Sequence, residues 1–487
     1  MQFPGISVQT FDASPAPPVC NAWGAPQAER MKLLRVLALI SFSVLGALSS
    51  ALAAGSILSG PMLGYRAHRE IFLWLEAKDA QQVTLDFWLT GKPETKRSIT
   101  QPAPTPTPAG GQIFHFRPGL LEPGAEYEYT LSLDGVKQDF PFPTRFKTHP
   151  LWEWRTPAPD FSFLFGTCAY FNEPAHDRPG AGYGRTLETF RLMGESGADF
   201  MLWGGDNWYY REVDFDSTSG LWYRAQVTRR EPALQKLFAT MPQYAVWDDH
   251  DYGENDANKS YELKDEALRV FQAYWGNPSS GEADNPGIYT KFRWSDATFF
   301  LMDNRWHRDG DHLDAAAAAG RKTQYGARQL DWLKQGLLAA QENKNCNFKF
   351  IVTGGQVVTD FAGASQSFAY YPEERAELLQ FIARHRITGV IFLSGDVHFT
   401  ELARRKISDT QWVYELTSSP LSSGVSRQNV TEHAADPYRV PGTQVQDQNF
   451  CQVRIAGPKE AREVIITSID KQGAVRFTHK IPLSELQ

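Results

Sequence analysis

Apolar and polar positions along the chain fall into two regimes. Between about residues 56 and 150 the alternation has a period near two: Glu70-Ile-Phe-Leu-Trp-Leu-Glu76, Val83-Thr-Leu-Asp-Phe-Trp-Leu89 and Tyr127-Glu-Tyr-Thr-Leu-Ser-Leu133 predict strands rather than helices. The Pro/Thr-rich stretch Gln101 to Gly111 reads as a loop. Further on, the runs starting at Phe161, Phe200, Gln243 and Gly389, with Thr298 to Met302 and Lys349 to Thr353, are short and apolar, as buried strands are. Helical spacing appears between them, at Thr186 to Glu195, Gln329 to Leu338 and Arg375 to Ile382. Strand, loop and helix in alternation predict an α/β layer structure.

The 487 residues exceed what one ordinary core supports, so two domains are expected, a β domain over 55–150 and a catalytic domain over 151–487. Pro150 to Asp160, with Trp152, Trp154, Pro157 and Pro159, forms the linker. Residues 1–30, with Pro15, Pro17, Pro18 and Pro26, show no periodicity and read as an upstream extension, with Met31 starting the natural protein. From there Lys32 and Arg35, the apolar Val36 to Leu48 and Ala51-Leu52-Ala53 read as a secretory signal over 31–54. Its apolar core is shorter than the ~18 residues of a membrane span, and its serines favour cleavage over anchoring. The mature chain is therefore expected in the periplasm or outside the cell, with no membrane span. An oxidising compartment favours disulfides. Of four cysteines, Cys20 is upstream and Cys168 ends a strand, which leaves Cys346 and Cys451 available to pair. A net charge of −7 argues against nucleic acid as a specific partner.

Four strands end in the same way, in a polar cluster. Phe161-Ser-Phe-Leu-Phe-Gly-Thr ends in Cys168, Phe200-Met-Leu-Trp-Gly-Gly in Asp206 with Tyr209 close behind, Gln243-Tyr-Ala-Val-Trp in Asp248-Asp249-His250-Asp251, and Gly389-Val-Ile-Phe-Leu-Ser-Gly in Asp396-Val-His398. Ligands bind at the carboxyl ends of strands in α/β proteins, so these tips point to one shared site. Cys, Tyr and His suit a borderline or ferric ion, and the surplus of aspartates suits a hard cation beside it. For Cys168 the competing reading is a buried apolar thiol.

Gly166-Thr-Cys168, Gly205-Asp206-x-x-Tyr209, Trp247-Asp-Asp249-His250-Asp251 and Ser394-Gly-Asp396-Val-His398, in this order, resemble the alkaline phosphatase D (PhoD-like) family of metallophosphoesterases over about residues 55 to 480. The resemblance implies a metallophosphoesterase-type αββα sandwich, a small N-terminal β domain, and Fe3+ and Ca2+ as cofactors. Leu121-Glu-Pro-Gly124 before the Tyr-Glu-Tyr strand likewise resembles the turn of an immunoglobulin-like or fibronectin type III sandwich. Asp303-Asn-Arg305 is similar to the family's Asp-x-Arg element, and its arginine suits phosphate oxygens or, alternatively, a surface ion pair.

The chemistry also follows from the residues. Asp206 is suited to bridge two metals; Cys168, Tyr209 and His398 fit one, Asp249 and Asp396 the other. Two cations ~3.5–4 Å apart can activate water for in-line displacement at phosphorus. His250 is expected beside the substrate as proton donor or oxyanion stabiliser. Asp248, Asp251, Asn255, Asp256 and Asp303 are candidates for supporting or solvated positions, Gln356 is unassigned, and Trp208, Tyr210, Trp222 and Tyr223 either rim a pocket or pack. The expected function is hydrolysis of small phosphate esters by an exported alkaline phosphatase, monoester or diester. The alternatives are a phosphodiesterase or phospholipase D-like hydrolase and a non-catalytic calcium-dependent binding protein.

Overall fold

The period-two segments at the N-terminal end become β1 (Ser56–Arg66), β2 (Ile71–Lys78), β3 (Gln82–Leu89), β4 (Arg97–Pro102), β5 (Gln112–Phe116), β6 (Glu126–Leu133), β7 (Val136–Lys137) and β8 (Arg145–Lys147). The structure is a computed structural model that describes residues 55–314, 321–361 and 366–487; the expected extension 1–30, the expected signal 31–54 and Cys20 lie outside the described residues. β1, β2 and β5 form one antiparallel sheet; β4, β3, β6 and β7, with β8 paired to β6, form another. Leu73, Leu75, Val83, Leu85, Phe87 and Leu131 fill the core these sheets share. Because neighbours on a strand point to opposite faces, Met62, Phe72 and Trp74 turn the other way, into the main core of the chain. Ser59 Oγ donates to Arg229 O at 2.6 Å and Trp74 Nε1 to Ala273 O at 2.9 Å across this contact. Gly55–Gln487 accordingly packs as one unit.

The rest of the chain runs β9 (Phe161–Gly166), α1 (Glu188–Glu195), β10 (Phe200–Gly204), α2 (Thr218–Arg229), α3 (Pro232–Thr240), β11 (Gln243–Val246), α4 (Asp249–Tyr252), α5 (Lys264–Tyr274), β12 (Thr290–Trp294), β13 (Ala297–Leu301), α6 (Gly326–Glu342), β14 (Phe348–Val352), α7 (Pro372–Arg384), β15 (Val390–Ser394), β16 (Glu401–Lys406), β17 (Trp412–Thr417), α8 (Arg427–Glu432), β18 (Asn449–Ala456), β19 (Glu463–Asp470) and β20 (Val475–Pro482). Two six-stranded sheets result, in the orders β11-β10-β9-β18-β19-β20 and β12-β13-β14-β15-β17-β16. Within them β9, β10 and β11 run parallel, as do β13, β14, β15 and β17.

The sheets face each other through aromatic side chains. Phe163 of the first meets Phe299 and Phe350 of the second at 5.3 and 5.4 Å between ring centres, and Phe200 meets Phe299 at 5.4 Å, all edge to face. Such pairs contribute roughly 0.5–1.5 kcal/mol each beyond their burial. Residues one step along, Phe300, Ile351 and Phe392, turn outward onto Leu330, Leu333 and Leu337 of α6 and Leu378 and Ile382 of α7. On the other flank Phe190 and Met193 of α1 and Leu237 of α3 join the inter-sheet core's cluster. Helices thus flank a double sheet, an αββα sandwich. Among the described residues no helix is long and apolar enough to cross a membrane.

Cys346 and Cys451, which the sequence leaves as a possible pair, are not joined. Cys451 lies within β18 of the first sheet, Cys346 just ahead of β14 in the second, and both are buried free thiols. Cys346 Sγ instead lies 3.2 Å from Thr298 Oγ1.

The second six-stranded sheet also buries a carboxyl group, Glu415 of β17, which accepts Val357 N at 2.7 Å and Val358 N at 2.8 Å. Burial outweighs these bonds and raises it from 4.5 to about 7. A folded-state value above the unfolded one gives stability that is fully present below the unfolded value and lost as pH rises through the folded one. The thermal midpoint of the parent should therefore fall more than that of Glu415→Gln between about pH 5 and about pH 8, by an amount equivalent to at most roughly 3 kcal/mol. Parallel pH dependences of the two proteins would contradict the buried protonated carboxyl.

Candidate metal centre

The parallel strands of both sheets bring their carboxyl ends together, and the loops leaving them carry the expected ligands. Cys168 follows β9, Asp206 follows β10, Asp248 to Asp251 follow β11, and Asp396 and His398 follow β15. Three tips come from one sheet and the fourth from the other. The turns are sharp: Cys168, Asp206, Asp396 and His398 take φ of 61°, 54°, 68° and 59°, in the left-handed region. That conformation costs on the order of 1–3 kcal/mol for a non-glycine residue, and it aims these side chains inward. Glycine permits the closest approaches. Gly205 has φ 112°, and a Cβ at Gly354, after β14, would lie 2.3 Å from Asp248 Cγ.

Asp206 Oδ2 accepts the Tyr209 hydroxyl at 2.9 Å and lies 3.6 Å from Cys168 Sγ, while Tyr209 Oη is 3.5 Å from His398 Nε2. Donor atoms of Cys168, Asp206 and His398 all lie within 4.8 Å of one another. His398 Nδ1 is 2.7 Å from Gly424 O and 3.0 Å from Ser423 Oγ. The carbonyl assigns the proton to Nδ1 and leaves the Nε2 lone pair facing the cluster. Ser419 Oγ donates to Cys168 Sγ at 3.1 Å, yet burial pushes this thiol up to about 12. A thiolate here needs a cation.

Asp206 also groups with Asp249 and His250, and Asp249 groups with Asp248 and Asp396, again within 4.8 Å. Asp206 is raised well above the usual carboxyl range, first by burial and then by Asp249, Cys168, Asp248 and Asp251. Asp396 is raised to about 7 by burial and by Asp248 and Asp249. Among the described residues, buried oxygens of Asp248 (Oδ2) and Asp249 (Oδ1) have no hydrogen-bond partner. Crowded carboxylates with orphaned oxygens, beside a thiol, a phenol and an imidazole lone pair, are a donor set that fits cations.

Arg305 does not lie where a phosphate could reach it. It is fully buried, its Nε donates to Asp248 Oδ1 at 2.6 Å and its Nη1 to Ala257 O at 3.2 Å, and its Nη2 is 3.6 Å from Asp249 Oδ1. Burial works against a charged guanidinium here, but Asp248 and Asp249 hold its pKa above the ordinary value, so it stays charged and positions them. Asp303 supports this loop, accepting Trp247 Nε1, Arg305 N and Trp306 N, each at 2.9 Å. Asp251 ties the β10 and β11 loops together, accepting Asp206 N at 3.3 Å, Asn207 N at 3.1 Å and Asp248 N at 2.6 Å. Asp248 is more than a support, because one of its oxygens groups with those of Asp249 and Asp396 and its Oδ2 has no hydrogen-bond partner among the described residues. Gln356 turns away, its Nε2 donating to Glu401 Oε1 and Thr417 Oγ1 at 3.0 Å each.

A cavity of about 430 Å³ opens beside the cluster, lined by Tyr170, Tyr183, Tyr209, Tyr210, His250 and Asn255, among others. The His250 and Tyr209 rings lie 4.2 Å apart. Of the aromatics singled out in the sequence, Trp208 and Trp222 pack in the core, and Tyr210 reaches the cavity. Tyr183 was missed: its hydroxyl lies 3.2 Å from His398 Nδ1. The glycines around it, Gly180, Gly182 and Gly184, were the available signal. Asn304 was missed as well; its Nδ2 donates to Asp248 Oδ1 at 2.7 Å, and its buried Oδ1 is free to face a cation.

Comparison with known proteins adds to this geometry. The family profile described as PhoD-like phosphatase matches residues 163–464. Alkaline phosphatase D of Bacillus subtilis (strain 168) is 23% identical over 338 residues, 57% of this chain and 54% of that protein, so the chain spans about half the length of this curated relative. The fold is similar to a solved structure of PhoD, with TM-score 0.68 and 15% identity over 86% of this chain and 91% of that one. It is also similar to a purple acid phosphatase from yellow lupin (Lupinus luteus) seeds, with TM-score 0.60 and 13% identity over 87% and 74%. The family profile covers more than half of the sequence, and its range takes in all four ligand-bearing strand ends: the chain belongs to the PhoD-like phosphatase family.

Proposed function

We propose that this chain is an exported hydrolase of small phosphate esters, acting on monoesters and, in the same cavity, on diesters, with a ferric ion and calcium held between the strand ends. Asp206 carries the proposal, because it belongs both to the group with Cys168 and His398 and to the group with Asp249 and His250, so one carboxylate faces two positions at once. When bound, two cations there lower the pKa of water and neutralise phosphate oxygens.

Cys168, Tyr209 and His398 offer the sulfur, phenolate and imidazole donors that suit iron; Asp249, Asp396 and the free oxygen of Asp248 offer what calcium takes. His250 borders the cavity, and burial lowers its pKa against the pull of Asp249. The neutral imidazole donates its N–H to a phosphate oxygen, which favours oxyanion stabilisation over proton transfer as its role. Arg305 acts through Asp248 and Asp249, and the tyrosines of the cavity take the alcohol portion of the ester. Export rests on the pattern of residues 31–54.

Hydrolysis of a model phosphomonoester and a model phosphodiester, measured in parallel on the mature chain, tests the reaction. Asp206→Ala should lower kcat/KM on both by at least about a thousandfold, roughly 4 kcal/mol in the barrier. Retention of activity within about tenfold of the parent excludes the bridging role.

The two cations should separate by chemistry. Iron bound to Tyr209 and Cys168 gives the protein visible colour, and a calcium-selective chelator should abolish hydrolysis while colour and iron content persist. Added calcium should restore activity and magnesium should do so poorly, since it demands a tighter octahedral shell near ~2.0–2.1 Å. Full activity in colourless, iron-free protein, or in protein holding iron and no calcium, contradicts the assignment.

A further inference from the structure

A second group of buried donors lies behind the strand end that carries Asp396 and His398. Glu401 opens β16, and His433 and Asp436 follow α8; one donor atom from each lies within 4.8 Å of the other two. None is more than 7% exposed. Asp436 Oδ1 accepts Tyr438 N at 2.9 Å, but its Oδ2 is closed off from solvent and has no hydrogen-bond partner among the described residues. Gln356, itself 1% exposed, reaches the same group: its Nε2 donates to Glu401 Oε1 at 3.0 Å, and its Oε1 is buried without a partner among the described residues. Glu401 and Asp436 bring two carboxylates, and Arg439, bound through Nε to Glu401, offsets one of them. An unpaired carboxylate oxygen in a closed interior is costly, and a metal ion is one of the few partners that repays it.

We propose that Glu401, His433 and Asp436 hold a zinc-class divalent cation, separate from the cations of the main centre. One imidazole with two carboxylates is a donor set for zinc, which takes nitrogen at ~2.0–2.1 Å and carboxylate oxygen at ~2.0–2.2 Å; calcium takes oxygen alone. A turn of the Gln356 amide about its last bond exchanges its nitrogen and oxygen and supplies a fourth donor. The role is structural. Arg404 N donates to Tyr438 O at 2.8 Å, so the segment after α8 already runs along β16. Asn429 of α8 donates its Nδ2 to Val397 O at 3.1 Å, between Asp396 and His398, and Ser423 and Gly424 just ahead of α8 hold His398 Nδ1. A cation joining α8's end to β16 therefore braces the loop that carries two residues of the main centre.

The measurement is metal content of the full chain after incubation with Zn2+ and desalting. The parent should retain one equivalent of zinc more than Asp436→Asn and more than His433→Gln, at unchanged iron content. Cys168→Ser, which alters only the main centre, should keep that equivalent. Equal zinc in the parent and the two variants overturns the proposal. Should both variants fail to fold, Cys168→Ser decides: a retained equivalent supports the site, and its absence overturns it. Because the readout is zinc content, failure here is distinguishable from failure of the proposed hydrolysis.

Discussion

Asp206, Asp248 and Asp249 are buried and Asp396 half-buried at one place, with Arg305 as the cation sealed among them. Coulomb repulsion between carboxylates a few ångströms apart, in an interior that screens poorly, is the constraint on which the other features of this end of the molecule depend. Together with burial, which is the larger cause, it raises Asp206 and Asp396 above the usual carboxyl range, and Asp248 and Asp249 each keep an oxygen with no hydrogen-bond partner among the described residues. Protonation relieves such a cluster partly. Cations relieve it fully, and they turn its charge into affinity.

The αββα sandwich supplies the rigidity that holds this arrangement. Side chains locked edge to face between the sheets fix the strands, so the strain in four left-handed residues is borne by the core rather than released at the loops. A layer of supports then sets each ligand: Asp251 joins the β10 and β11 loops, Arg305 and Asn304 grip Asp248, and Gly424 selects the His398 tautomer. The N-terminal sheets contribute through Met62, Phe72 and Trp74, which extend the same core.

Much of this was legible in the chain. The short apolar runs ending in Gly-Asp, Gly-Thr-Cys and Asp-Asp-His located the strand ends, because a polar cluster is unneeded at a buried strand's tip unless something binds there. What periodicity does not encode is which sheet a strand joins and which way a long side chain turns. Arg305 illustrates the second: its type suits phosphate, yet its position after β13 leaves it pressed against Asp248. Cys346 and Cys451 illustrate the first, as Cys451 lies in β18 of one sheet and Cys346 just ahead of β14 of the other. Tyr183 and Asn304 lie in irregular loops, where no repeat marks a residue, and only the packing of distant segments shows their place.

Anomalous diffraction from crystals of the full chain, collected above and below the iron edge, examines the cation centre most directly. The predicted result is one peak specific to iron among Cys168, Asp206, Tyr209 and His398, and a second ion that the iron edge does not affect among Asp206, Asp249 and Asp396, with Asp206 touching both. Solvent alone between these side chains, in crystals of active protein, or a single ion that leaves Asp206 unbridged, would contradict it.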